Sequence, residues 1–265
     1  MKLWGMSDVM KKMLLLIMAL FIMTGCGEKE AVESIKVFAD VSLEGALNDV
    51  IEEYQKENFV NIDVVTGSTS ELLSRIEKGA ECDIYIPSSK EQINTLIDDK
   101  LLEQENVTPI LKNSIVIIKK LQSDITVKSF DTAAEAESIA MAKESEPVGA
   151  FAREIFINLN VFKDILKMDI NSCESSLDAV NSVADGKSDV GVCFETDAIA
   201  NADKVQIIAA APKDSLNSEV LYSVALLNKE EGLEPSDNAV KFAEYLDTPE
   251  AADIFDNFDF EIYIS

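Results

Sequence analysis

The sequence predicts an α/β protein of two lobes, each a mostly parallel sheet flanked by helices. Strand and helix patterns alternate from Ile35 onward, which is the signature of parallel strands joined by helical crossovers. The alternation comes in two sets, the second beginning near residue 113. The chain then closes with helices that have no strands of their own, which predicts a return to the first lobe. The expected division is 34–112 plus 200–265 for lobe I and 113–199 for lobe II.

The individual elements follow from periodicity. IKVFA (35–39) is a short apolar run and reads as a buried strand. Leu43, Ala46, Leu47, Val50, Ile51 and Tyr54 then recur at helical spacing. IDVVT (62–66) is the next strand, followed by a helix that carries Leu72, Leu73 and Ile76 and stops at Gly79. DIYI (83–86) precedes a helix with Ile93, Leu96 and Ile97, where Ser88 and Glu91 have the spacing of a capping box. In the second set, NSIVIIKK (113–120) and SIAMA (138–142) read as strands. A helix after Gly149 carries Phe151, Ile155, Phe156 and Leu159. MDI (168–170), a helix over 177–184 and DVGVCF (189–194) follow. Strands near 205–209 and 219–227 and two helices complete the chain. The second of these helices opens on Thr248-Pro249-Glu250, a cap followed by proline at the first helical position.

The N-terminus sets the expected compartment. Lys11 and Lys12 precede eleven apolar residues (13–23), too few to span a bilayer but suited to a signal peptide. Met23-Thr24-Gly25-Cys26 resembles a bacterial lipobox, in which Cys26 is lipidated and becomes the new N-terminus. The alternative is an ordinary secreted or membrane-anchored segment, and Met6 and Met10 are alternative starts. The expectation is a signal peptide over 1–25, a polar tether over 26–33, and an extracytoplasmic protein held to the membrane only by its lipid.

Composition excludes several classes. The chain carries 49 Asp and Glu against 23 Lys and Arg, a net charge of −26. Removing residues 1–25 takes away three Lys and one Asp and makes the balance more negative still. Nucleic acid is therefore not an expected partner. There is no histidine, hence no ordinary general base, zinc ligand or Ser-His-Asp triad. Besides Cys26, the cysteines Cys82, Cys173 and Cys193 are widely spaced, with no metal or redox motif. Cys193, in VGVCF, reads as a small buried hydrophobe, and a Cys173–Cys193 bridge stays open. Gly186-Lys187-Ser188 has Asn181 where a phosphate loop needs glycine, and it follows a helix rather than a strand. The acidic run Asp253, Asp256, Asp259 and Glu261 lacks the calcium-loop spacing and reads as the wet face of the last helix. An enzyme, a metal site and a resident cofactor are not expected.

What remains is the set of strand-to-helix turns. They carry Asp40-Val41-Ser42, Gly67-Ser68-Thr69-Ser70, Pro147-Val148-Gly149 and Cys173-Glu174-Ser175-Ser176. One hydroxyl before a helix is ordinarily a cap, and Ser68 with Glu71 fits a capping box. A cap uses one hydroxyl, and Thr69 and Ser70 remain. Four helix N-termini meeting at one cleft would make an anion site from neutral dipoles, with no Lys or Arg.

Over nearly the whole mature chain the sequence resembles the molybdate-binding proteins of ABC importers. The segments that carry the resemblance are VFADVSLEGAL, VVTGSTSELLSRIEKGAECDIYI, EPVGAFARE, DVGVCFETDA and TPEAADIFDNFDF. The resemblance implies the type II periplasmic-binding fold and a monomer. It further implies a tetrahedral oxyanion, molybdate or tungstate, delivered to an ABC permease with its ATPase. Carried over by motif, Ser42 and Thr69 are hydroxyl ligands with Ser68 beside them. Val148 and Ser176 supply backbone N–H groups, and Phe194 stands where the family has a tyrosine. Asp40 and Glu195 also sit beside ligand positions. A carboxylate facing an anion repels it by several kcal/mol at low effective dielectric. Either these side chains turn away or the ligand differs. The alternatives are another small solute in the same fold, or a surface-interaction lipoprotein without a ligand.

Overall fold

The structure is a computed structural model that describes residues 34–227 and 235–264. The expected signal peptide, the tether and Cys26 lie outside the described residues. Among the described residues no helix is long and apolar enough to cross a membrane.

The first lobe is built on a six-stranded sheet. Its strands are β1 (Ser34–Asp40), β2 (Asn61–Gly67), β3 (Ile84–Ile86), β4 (Val107–Asn113), β10 (Val220–Leu226) and β11 (Glu261–Ile262), in the order β11-β4-β10-β3-β1-β2. The second lobe has β5 (Ile115–Lys120), β6 (Ser138–Ala142), β7 (Asp169–Cys173), β8 (Val190–Phe194) and β9 (Val205–Ala210), in the order β7-β6-β8-β5-β9. The helices are α1 (Glu44–Gln55), α2 (Thr69–Glu77), α3 (Lys90–Asp98), α4 (Pro147–Asn158), α5 (Phe162–Ile165), α6 (Ser176–Ala184), α7 (Glu195–Ala200), α8 (Asp237–Leu246) and α9 (Pro249–Asp256).

Both sheets are mixed, not mostly parallel. β1 pairs parallel with β2 and β3, but β10 and β4 add antiparallel strands. In the second lobe β6 is parallel to β7 and β8, while β5 is antiparallel to β8 and β9. The expected return to lobe I at residue 200 comes later, because β9 pairs with β5 from Lys120↔Val205 to Val116↔Ala210. The run read as one strand over 113–120 is the crossing itself: β4 ends at Asn113 in one sheet and β5 starts at Ile115 in the other. The acidic residues also divide. Asp253 and Asp256 are on α9, whereas Asp259 has positive φ and Glu261 lies in β11.

The core is apolar and continuous across the crossing. Val37, Leu47 and Ile84 belong to the same buried cluster as Ile117, Phe156 and Phe194. Tyr54 on α1 packs on Phe242 and Tyr245 of α8, at ring-centroid distances of 5.0 and 4.9 Å. At the start of α9, Thr248 accepts the N–H of Ala251 and donates its hydroxyl to the Tyr245 carbonyl. Thr248→Ala should therefore lower stability by about 1 kcal/mol, read as a reduced urea midpoint with an unchanged slope.

Gly149 has a packing reason. A Cβ there would lie 2.0 Å from the Lys143 carbonyl oxygen and 2.5 Å from that of Ala142. The glycine lets α4, which starts at Pro147 rather than after Gly149, sit directly on the end of β6.

Candidate functional site

The three parallel strands of lobe I end side by side, and Asp40 on β1 is in register with Gly67 on β2. Their carboxyl ends deliver Asp40 and Ser42, Ser68 and Thr69, and Ser88 to one place, as expected for ligand positions of open α/β sheets. Asp40 is the hub. Its Oδ1 accepts the Ser42 N–H at 3.0 Å and the Ser42 hydroxyl at 2.6 Å. Its Oδ2 accepts the Thr69 hydroxyl at 2.5 Å and the Ser88 hydroxyl at 2.8 Å. Thr69 is fully buried and Asp40 is 5% exposed. A carboxylate so deep is tolerable because its oxygens are supplied with donors.

The hydrogen bonds around it have a defined direction. Ser42 has one hydroxyl proton and gives it to Asp40, so the Tyr222 hydroxyl, 2.8 Å away, must donate to Ser42. Tyr222 in turn accepts from the Asn113 side chain at 3.2 Å, and Asn113 also reaches Thr196 at 2.9 Å. This line runs from the interlobe crossing to Asp40, every step pointing at the carboxylate. Burial first, and then the negative charge of Asp40, push the Tyr222 hydroxyl well above its usual range, so it stays a donor.

Lobe II contributes helix starts and two further acids. Val148 is buried in the first turn of α4, where its N–H and that of Gly149 have no partner inside the helix. Glu146 caps that helix in sequence but points away from it. Its carboxylate crosses to lobe I, taking the Ser70 N–H at 3.3 Å and the Ser70 hydroxyl. Desolvation raises its pKa despite these donors. Asp197 on α7 is 6% exposed, and its Oδ2 has no hydrogen-bond partner among the described residues. Burial, with Asp40's charge as a smaller cause, pushes it up to about 7, against a lowering bond from Ser176. Outside this buried cluster a cleft of about 460 Å³ opens between Ser68 and Ser70 on one side and Lys143, Glu174 and Ser175 on the other. Lys143 is paired with Glu174.

The residues singled out by sequence are thus distributed as follows. Ser42 and Thr69 meet on Asp40. Ser68 caps α2 by accepting the Glu71 N–H, one half of the expected capping box, and also faces Glu146. Ser176 starts α6, which packs against the Val41–Leu43 turn, but its hydroxyl accepts the Phe194 N–H at 2.7 Å and serves Asp197. Ser175 is the α6 cap. Phe194 is buried beside Tyr222, ring centroids 6.0 Å apart. Asp40 turns inward. Glu195 is half-buried, its N–H bonded to Ser114. The α3 cap is Ser89, not Ser88, which frees Ser88 for Asp40.

Sequence reasoning missed Ser88, Tyr222, Asn113 and Asp197. Tyr222 lies in an apolar alternation, VLYSVAL, that reads as plain strand. Asp197 was visible only as part of the motif ETDA. The three described cysteines are free and buried. Burial raises Cys82 to about 12 and Cys173 to about 11, with Cys193 higher than its ordinary value too. None is poised as a nucleophile.

Comparison with known proteins agrees with this architecture. The profile of the bacterial extracellular solute-binding protein family matches residues 35–261. The molybdate-binding protein ModA of Escherichia coli strain K12 is 29% identical over 237 residues, which cover 86% of this chain and 89% of the relative. The solved substrate-binding domain of a putative molybdenum ABC transporter from Clostridium difficile is 28% identical with a TM-score of 0.67, covering 87% of this chain and 99% of that one. The Azotobacter vinelandii periplasmic molybdate-binding protein has the same fold, with a TM-score of 0.72 at 16% identity and coverage of 87% and 100%. The family match spans nearly all of the described residues, and the chain belongs to the bacterial extracellular solute-binding proteins, with the two-lobe type II periplasmic-binding fold.

Proposed function

We propose that this protein is the lipid-anchored solute receptor of an ABC importer, monomeric, tethered through Cys26. It binds a tetrahedral oxyanion of the molybdate and tungstate class between its lobes and presents it to the permease and its ATPase. The observation that carries the reading is the convergence of the Ser42, Thr69 and Ser88 hydroxyls on one buried pair of negatively charged oxygens. Here those oxygens are the Asp40 carboxylate, which stands in for two oxygens of a ligand. Val148 and Ser176, at the starts of α4 and α6, supply N–H groups from the other lobe, and the Tyr222 hydroxyl stands in for the tyrosine replaced by Phe194. Sulfate is excluded by size, since a cavity set for longer metal–oxygen bonds leaves donors unfilled around it.

Calorimetry on the mature protein tests this. Molybdate and tungstate should give heat and sulfate none. Ser42→Ala and Thr69→Ala should each weaken binding about tenfold, the loss of one hydrogen bond to a charged group. Absence of heat with both oxyanions would end the reading. A second reading is favoured by one observation, the unpartnered buried oxygen of Asp197 near Asp40. Such a pair suits a solute that brings donors or positive charge. A thermal shift with cationic solutes and none with oxyanions would select it.

A further inference from the structure

We propose that Asp40 is a tethered competitor that occupies the oxyanion seat of the ligand-free protein and sets the affinity of the site. The inference rests on the oxyanion reading and adds a specificity-determining residue to it.

A hydroxyl has one proton to give. The protons of Ser42, Thr69 and Ser88 all go to Asp40, as does the Ser42 N–H. Both carboxylate oxygens are therefore filled, and the three hydroxyls have no proton left for a ligand. The polarised line from Asn113 through Tyr222 also ends on this carboxylate. An incoming oxyanion meets a charge of its own sign at the place where the donors are, with no described cation hydrogen-bonded to that carboxylate. It gains those donors only when the Asp40 side chain leaves them.

The neighbouring helix start repeats the arrangement. At α2 the Ser70 N–H and hydroxyl are taken by Glu146. Thus both anion-receiving points of lobe I already hold carboxylates of the chain itself. The consequence is a raised threshold. Only an anion that satisfies the donors of both lobes together displaces Asp40, and a weakly fitting one does not.

The test compares wild type with Asp40→Ala and Asp40→Asn by calorimetry with sodium molybdate and sodium tungstate, fold being checked by circular dichroism and melting. Asp40→Ala should bind at least tenfold more tightly than wild type. Asp40→Asn removes the charge at nearly constant shape, so it should also bind more tightly and serves if the alanine variant does not fold. Equal or weaker binding by a folded variant, with wild type binding, overturns the competitor role and leaves the oxyanion reading standing. No heat from wild type with either oxyanion overturns both, whatever the variants do.

Discussion

Asp197→Asn is expected to stabilise the protein by several kcal/mol at pH 8 and to flatten its stability between about pH 4 and pH 7. The wild-type carboxyl is nearly fully buried, with one oxygen unpartnered. Its pKa is raised from 3.8 to about 7, chiefly by burial. Between those values the folded state keeps a proton that the unfolded state has lost. Stability therefore falls as pH rises through this window and stays low above it. A shift of about three units corresponds to roughly 4 kcal/mol. Asparagine removes the ionisation and keeps the shape. Urea unfolding at pH 5, 6, 7 and 8 should show a declining midpoint for wild type and a much flatter one for the variant. The slope that remains belongs partly to Glu146, whose pKa is raised in the same direction. Parallel curves for the two proteins would refute the assignment.

That residue also shows where sequence reading stops. Elements with a local period were legible: the helical spacing of Leu43 to Tyr54, the alternation after Ile35, and the stop at Gly79, whose φ of 86° is a glycine conformation. Pairing across long separations was not legible. β9 joins β5 in the second sheet although nothing within 205–210 names its partner, and the crossing at Asn113–Ser114 looks like unbroken strand because both sides are apolar. The site divides along the same line. Thr69 was visible because the capping rule leaves hydroxyls over after Ser68, and Ser42 because the family motif falls on it. The side-chain direction of Asp40 was not visible. A one-residue difference in the α3 cap, Ser89 in place of Ser88, decided whether the Ser88 side chain was held at the helix start or turned toward Asp40. Tyr222 sits 180 residues from Ser42, on a strand from the far end of the chain, and only the returning topology brings its hydroxyl to Ser42.

Glu146→Ala should shift the ligand-free protein toward a more open arrangement of its lobes. Glu146 belongs to lobe II, yet its carboxylate is bonded to the N–H and hydroxyl of Ser70 on the first turn of α2 in lobe I. An acid at a helix N-terminus contributes up to about 2 kcal/mol in a partly buried setting. Open and closed forms of such two-state proteins differ by only a few kcal/mol, so losing this clasp changes their ratio about tenfold or more. Small-angle scattering of the ligand-free variant should give a larger radius of gyration than wild type. Ser70→Ala, which removes the hydroxyl but keeps the N–H, should fall between them. The ordering matters more than the size of the change. A clasp made of hydrogen bonds to Ser70 requires the serine variant to be intermediate, whereas a Glu146 that merely fills space predicts a serine variant identical to wild type. Scattering curves that superimpose for all three proteins would mean that the lobes are held by the shared apolar core and the two chain crossings alone, with the carboxylate a passenger at the helix start.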